Sequence, residues 1–179
     1  MLNVVFYNDT NSGDTPQISD KMDVSTLVNG ESFFGARDAI ISFNNDLSNV
    51  KKGKYLFASC HNLTSFGGKL PSLVDGYESF SNCGSLIEFE SDLPSLENGI
   101  RMFYACENLQ KFSVNLPSLE KGQSAFLGCY GLTSFTSDMP SLVYGNRMFS
   151  NCTSLTEFKS KLTSLKVGES MFEVCSSLS

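Results

Sequence analysis

The chain has 179 residues, a formal net charge of −6 and a hydrophobic content of 41%. This length fits one domain, and the hydrophobic content is sufficient for a core. Because the charges are scattered and no basic face is expected, the composition argues against a nucleic-acid partner and against an anionic membrane surface. Membrane insertion is not expected either, since no run approaches the roughly 18 apolar residues of a spanning helix.

Residues 1–23 precede the regular part of the sequence. The apolar run from Val4 to Tyr7 is typical of a β-strand, and a polar, turn-rich segment follows it up to Asp20. We predict that residues 1–23 form an N-terminal cap, which a stack of repeats needs in order to cover its first apolar face. The run has no basic flank and is too short for a secretory signal, so no signal peptide is expected here.

A 23-residue period begins near Val24 and continues to the last residue. Four columns of identical residues share this step: Gly53 to Gly168, Phe57 to Phe172, Cys60 to Cys175 and Leu63 to Leu178. A fixed period in the twenties indicates a solenoid, in which each repeat forms one coil. Residues 24–179 are therefore the predicted solenoid. Residues 24–52 form a degenerate first coil with Arg37 in the cysteine column, residues 53–179 form regular coils, and the last coil is incomplete.

The regular coils follow the pattern G-x-x-x-F-x-x-C-x-x-L-x-x-F-x-x-x-L-P-S-L-x-x, with Met139 in place of one leucine and Thr163 in place of the last proline. The segment L-x-x-F-x-x-x-L is suited to a short strand, and the segment from Gly to Cys to a turn of α- or 3₁₀-helix. The strict phase of both Phe columns predicts an interior stack. The six cysteines are interpreted as a ladder of buried thiols. Disulfides between neighbouring coils and a zinc site remain less favoured alternatives, since His61 is the only histidine.

The element A-F-x-x-C-x-x-L gives the chain a family resemblance. It is present as Ala125 to Leu132, and with Met148 in place of alanine up to Leu155. On these residues the chain resembles the BspA-like leucine-rich repeat proteins of the Treponema-pallidum type. The resemblance implies a right-handed leucine-rich-repeat solenoid, with short parallel strands on a concave face and turns or short helical segments on the convex side. It also implies adhesion or protein binding rather than catalysis, at a cell surface or on a virion. The proline of each coil is shifted relative to that family, which affects the expected strand boundaries.

The residues that flank the inward Phe of each predicted strand face outward and vary between coils. Variable positions on a fixed scaffold are where binding specificity can reside. The predicted contact residues are Lys69, Glu88, Glu90, Asp92, Lys111, Ser113, Asn115, Ser134, Thr136 and Asp138.

Glu88, Glu90 and Asp92 form a dense carboxylate cluster, which we name the acid triple. A Ca²⁺ site and a glycosidase-like pair are possible functional interpretations. The favoured interpretation is simpler: Lys69 and Lys111 are predicted to lie beside it on the adjacent coils and to neutralise it. No catalytic residue, cofactor or metal is therefore expected.

The leading hypothesis is a non-enzymatic module that offers its concave face to a protein or a glycan. The alternative is an assembly component that self-associates through its last coil, because the sequence shows no polar cap after the final leucine column. A carbohydrate-active enzyme on a β-helix is the least favoured reading.

Overall fold

A computed structural model describes residues 23–179 of the chain. The predicted cap at residues 1–23 therefore lies outside the described residues, apart from Asp23. From Val24 onwards the chain forms a leucine-rich-repeat solenoid built from parallel coils, as the periodicity predicts.

Each coil contributes one strand of two residues that ends at the second Phe column. The strands are β1 (Ser42–Phe43), β2 (Ser65–Phe66), β3 (Glu88–Phe89), β4 (Lys111–Phe112), β5 (Ser134–Phe135) and β6 (Glu157–Phe158). Neighbouring strands pair in parallel with equivalent residues opposite each other, Ser42 with Ser65 for example. This pairing confirms that the 23-residue columns are structural columns.

The strands are shorter than the L-x-x-F-x-x-x-L segment that the sequence suggests. Two residues after each Phe, an inward column changes size from coil to coil. Its members are Asn45, Gly68, Ser91, Val114, Ser137 and Ser160. Four of these residues are buried, and Asn45 and Ser160 are half-buried.

The strands form two sheets, β1-β2-β3 and β4-β5-β6, rather than one. Across the break the ring centroids of Phe89 and Phe112 are 5.9 Å apart, against 5.3 to 5.7 Å for the other pairs of that column. The Gln110 N–H reaches the Ile87 carbonyl at 3.4 Å, whereas the equivalent Thr64 to Ile41 bond measures 2.8 Å. Val114, the bulkiest member of the inward column, lies in the coil that begins the second sheet.

A second ladder of parallel bridges runs along the solenoid just before the glycine column. It joins Asn29, Lys52, Asp75, Asn98, Lys121, Tyr144 and Val167 in order. Unlike the strands, this ladder continues past the break between β3 and β4. It keeps the coils in register where the sheet is interrupted.

The interior is a herringbone of phenylalanine rings. Rings of the first column, Phe34 to Phe172, stack at 4.7 to 5.5 Å with interplanar angles of 4 to 15°. They also meet the second column edge-on, for example Phe103 with Phe112 at 5.3 Å and 64°. Offset stacks and edge contacts are the favourable geometries for aromatic pairs. The predicted interior stack is confirmed.

Residues between Gly and Cys form turns, and the helical turn expected there is absent from residues 23–179. Alternate N–H groups bond within the coil, such as Leu56 to the Gly53 carbonyl, and the others bond to the next coil, such as Tyr55 to the Tyr77 carbonyl. Two residues in each of these segments have positive φ, for instance Tyr55 at 57° and Ser59 at 60°. A left-handed residue at every fourth position cannot belong to a right-handed helix.

The glycine column is needed for close packing. A Cβ on Gly53 would lie 2.8 Å from Cδ1 of Leu73, and one on Gly76 would lie 2.9 Å from Cδ1 of Leu96. Both distances are below van der Waals contact. The column therefore lets the last leucine of each coil approach the backbone at the glycine that begins it.

The cysteines form the predicted ladder of thiols, and all six are free. Each thiol donates to the carbonyl oxygen of the Phe in the preceding coil, as Cys106 does to Phe80 at 3.1 Å. Burial raises the pKa of Cys60 to about 11 and that of Cys152 to about 12. Since the thiolate is the reactive form, the five buried cysteines are structural and chemically inert at neutral pH.

We expect Phe103→Ala to destabilise the chain far more than Phe172→Ala, although both belong to one column. Phe103 is buried between rings on both neighbouring coils, whereas Phe172 is half-buried and stacks only on Phe149. Removal of a buried Phe costs about 3 to 5 kcal/mol. Urea unfolding followed by circular dichroism measures both losses; equal losses would contradict the herringbone.

Iodoacetamide at neutral pH should modify Cys175 first in the native chain, because it is half-buried while the other five cysteines are buried. Mass spectrometry after urea should find all six modified. The raised pKa of Cys60 also makes stability depend on pH. This thiol ionises near pH 9.0 in the unfolded chain and near pH 11 in the folded chain. The contribution of the buried neutral thiol to the free energy of unfolding is therefore present below pH 9 and is lost as the pH rises from 9 to 11. Rapid native labelling of Cys106 would contradict the ladder.

Candidate interaction surface

The candidate surface consists of the outward residues at and just after the strands, which we name the strand face. Three columns form it, and they begin with Ser42, Asn44 and Asp46 and repeat every 23 residues. Phe43, between the first two columns, and Leu47, after the third, are buried, and Asn45 is half-buried. This alternation gives each coil three outward side chains, on the surface that the family resemblance describes as concave.

The structure places the predicted contact residues on this face. Eight of them are exposed and two, Ser134 and Asp138, are half-buried. Their role in binding stays a prediction, because exposure alone does not identify a contact.

The acid triple lies at the end of the first sheet. Glu88 belongs to β3, and Glu90 and Asp92 follow it on the outward side while Phe89, Ser91 and Leu93 point inward. Alternate residues of an extended chain are about 7 Å apart, so the three carboxylates form a row. Within residues 23–179 no ion pair involves any of them.

The predicted neutralisation by Lys69 and Lys111 is therefore wrong in this structure. No carboxylate of the described residues pairs with either ammonium group. Lys111 is on β4, which does not pair with β3, so it is not held beside Glu88 as the regular column would require.

On the other side of the acid triple, the coil contact beside Asp92 is irregular. The Leu70 N–H donates to the Ser91 hydroxyl at 3.0 Å, whereas the equivalent Leu47 N–H donates to the Lys69 carbonyl. The Asp92 carbonyl therefore does not accept the inter-coil hydrogen bond that the equivalent Lys69 carbonyl accepts. The regular contacts between coils are therefore interrupted on both sides of the acid triple.

The far end of the strand face is neutralised. Lys161 Nζ lies 3.0 Å from an Asp138 oxygen, and Lys159 Nζ lies 2.5 Å from a Glu157 oxygen. Hydrogen bonds from the Lys161 side chain and N–H hold the pKa of Asp138 below its usual value. The unpaired carboxylates of the face are therefore concentrated at the acid triple, among the residues that the structure describes.

Two exposed apolar residues border the face and were not singled out from the sequence. Ile41 is 57% exposed and Ile87 is 39% exposed, and each lies immediately before a strand. Other coils have threonine or glutamine in this column, namely Thr64, Gln110, Thr133 and Thr156. Isoleucine in an otherwise polar column was the sequence signal that could have identified these two residues. Ile87 adjoins Glu88, so an apolar contact and the acid triple lie side by side.

His61 lies apart from the strand face, on an exposed bend. Its Nδ1 is 2.9 Å from an Asp38 oxygen on the preceding coil. The His61 N–H and ring lower the pKa of Asp38. This pair is a surface contact between neighbouring coils.

Residues 23–179 contain no group of three or more His, Cys, Asp or Glu placed to hold a metal ion. Nor does this part of the chain contain a helix of the length and apolarity needed to cross a membrane.

Comparison with known proteins agrees with the repeat pattern. The model of the BspA type leucine rich repeat region matches residues 19–90 and 53–179, with six copies. Since these spans cover most of the sequence, the chain belongs to this family. A search of curated proteins gives no match.

Among solved structures, a leucine-rich repeat protein from Bacteroides ovatus ATCC 8483 is 28% identical, with a TM-score of 0.48. The alignment covers 79% of this chain and 40% of that one. The chain therefore spans less than half the length of that protein.

Lys161→Ala should raise the pKa of Asp138 towards the ordinary value of 3.8, because it removes the donated hydrogen bond and the nearby positive charge. Lys159→Ala is the matched control on the neighbouring column and should leave Asp138 unchanged. Carboxyl-carbon NMR titration measures both. An Asp138 midpoint that is identical in the wild type and in Lys161→Ala would show that the ion pair does not form in solution.

Proposed function

We propose that the chain is a non-enzymatic interaction module that offers its strand face to a protein or glycan partner. One observation supports this most: a fixed interior holds three outward columns whose residues differ from coil to coil, and the carboxylates at mid-face are unpaired. Desolvation of such groups is favourable only if the partner supplies charge or hydrogen bonds. The proposed partner therefore presents ammonium or guanidinium groups, or a dense set of hydroxyl donors, to the acid triple.

The neighbourhood of the acid triple supports a contact of mixed character. Ile87 offers apolar area next to Glu88, and protein interfaces combine an apolar centre with a polar rim. Ser113 and Asn115 on the next coil add neutral polar groups. The biological setting that we propose, adhesion at a bacterial surface or on a phage particle, rests on the family alone, and fold-level analogy is its only support.

The test compares two sets of charge reversals. In the first, Glu88, Glu90 and Asp92 are changed to Lys. In the matched control, the exposed Glu97, Glu107 and Glu120, which lie outside the strand face, are changed to Lys, so that the change of net charge is the same. Binding is measured by interferometry on an array of basic peptides and on an array of neutral and amino-substituted oligosaccharides.

We expect the first set to weaken binding by about tenfold or more, since it replaces three attractive charges with repulsive ones. The control set should bind like the wild type, and both should keep the wild-type melting temperature. Equal binding by all three proteins would move the site away from the acid triple. No binding to either array by the wild type would contradict the proposed partner chemistry.

A second candidate function is assembly through the last coil, and one observation favours it. Leu162, Leu165, Phe172, Cys175 and Leu178 are only partly buried, whereas their equivalents one coil earlier are buried. A surface of this kind is typical of a contact between chains.

Sedimentation velocity over a range of concentrations tests this assembly. Dimerisation that is lost in Leu162→Glu would support it. A strict monomer would contradict self-association.

A further inference from the structure

The tyrosines that the structure describes lie on the turn side of the coils and not on the strand face. The five that the structure describes all lie in or immediately beside the Gly-to-Cys turn segments, and none lies in the three columns of the strand face: Tyr55, Tyr77, Tyr104, Tyr130 and Tyr144. Tyrosine and arginine are the residues that dominate binding energy at protein interfaces. The turn side therefore has interface composition that the strand face lacks.

Three of these tyrosines belong to one connected cluster on successive coils. The rings of Tyr55 and Tyr77 meet edge-on at 5.6 Å, and Lys54 Nζ lies 5.3 and 5.2 Å from their centroids. On the next coil Arg101 lies 5.2 Å from the Tyr104 ring and 3.3 Å from a Glu78 oxygen. The tyrosine cluster, as we name it, consists of Lys54, Tyr55, Tyr77, Glu78, Arg101 and Tyr104.

Three residues of this cluster have a left-handed backbone conformation. Tyr55, Glu78 and Arg101 occupy equivalent left-handed positions with φ of 57, 51 and 54°. A residue with a Cβ is disfavoured there by about 1 to 2 kcal/mol. The other described coils have Ser32, Ser124, Arg147 and Ser170 at this position, also with positive φ, so the left-handed backbone belongs to every turn. Large side chains occupy the position in three consecutive coils only from Tyr55 to Arg101.

The charge next to the cluster indicates what kind of partner fits it. Lys51 and Lys52 are exposed and precede Lys54, and within residues 23–179 none of the three is in an ion pair. Asp75, which bridges to Lys52 on the next coil, is engaged by the Tyr77 N–H and the Asn98 amide instead. This local group of free ammonium charges stands out in a chain whose net charge is −6.

We propose that the tyrosine cluster, with Lys51 and Lys52, is a second binding surface, which takes an acidic protein segment that carries an aromatic side chain. The carboxylates of the segment pair with the lysines, and its aromatic ring packs against Tyr55 and Tyr77. The surface is distinct from the strand face and has the opposite charge. It goes beyond the proposed function of the strand face and does not depend on it.

Substitutions by glycine at the left-handed positions can test binding without lowering the stability of the chain. Glycine tolerates positive φ, so Tyr55→Gly and Arg101→Gly remove the side chains and relieve the backbone strain together. Ser124→Gly is the matched control, because Ser124 has φ of 56° in the same column and lies outside the cluster. None of the three should lower the melting temperature by more than a few degrees.

The probes are short fluorescent peptides rich in Asp and Glu with one Trp, compared with a charge-inverted set and a set with Ser in place of Trp. We expect the acidic Trp peptides to bind best and to weaken as salt is added. Tyr55→Gly and Arg101→Gly should each lower the affinity by about tenfold, the effect of losing one strong interface contact, and Ser124→Gly should not. The neutral substitutions Glu88→Gln, Glu90→Gln and Asp92→Asn, which add no positive charge, should leave this binding intact, and this separates the two surfaces.

The proposal would be overturned by acidic Trp peptides that bind no better than charge-inverted ones, by wild-type affinity in Tyr55→Gly, or by an equal loss in Ser124→Gly. Binding of neutral oligosaccharides that is lost in Tyr55→Gly would also overturn it, because the occupant would then be a glycan.

Discussion

The structure depends on one constraint: a coil cannot satisfy its own backbone or bury its own apolar face. Within the turns, every second N–H bonds to a carbonyl of the next coil, as Phe57 does to Ser79. The same coil leaves two phenylalanine rings exposed until its neighbours stack on them. Since unpaired buried polar groups and exposed rings are both costly, repetition of a fixed coil length is the condition for stability. This explains why Gly, Cys, Leu and Phe recur at one spacing while other positions change.

Because of that constraint, inward positions tolerate few changes of residue type, whereas outward positions tolerate many. Inward columns are held by stacking, by the thiol bond to a Phe carbonyl and by the close approach at glycine, and a change in one coil affects both neighbours. Outward columns are limited only by solubility and by what binds to them. The acid triple and the tyrosine cluster both belong to the outward group, on different walls and with opposite charge. Their side chains are therefore where we look for function, although the fold itself would form without them.

Much of the fold could be predicted from the sequence because the period is strict. The parallel register, both Phe columns, the buried thiols and the outward alternation around Phe43 all follow from equivalent positions 23 residues apart. The turn segments could not be predicted, since a left-handed backbone is occupied by Tyr55 and Arg101 rather than by glycine. The break after β3 was also hidden, because Val114 looks like an ordinary strand residue. For the same reason the sequence could place Lys111 and Glu88 in one column but could not show that they do not pair.

The central claim is that consecutive 23-residue units lie side by side as equivalent coils. Electron-resonance distances between spin labels in one outward column test it most directly, with Asn44 paired with Thr136 across four coils and with Lys159 across five, in a Cys175→Ser background. The account predicts that the label separation grows by about 5 Å with the added coil, close to the spacing of neighbouring strands. A separation that does not grow from four coils to five would contradict it.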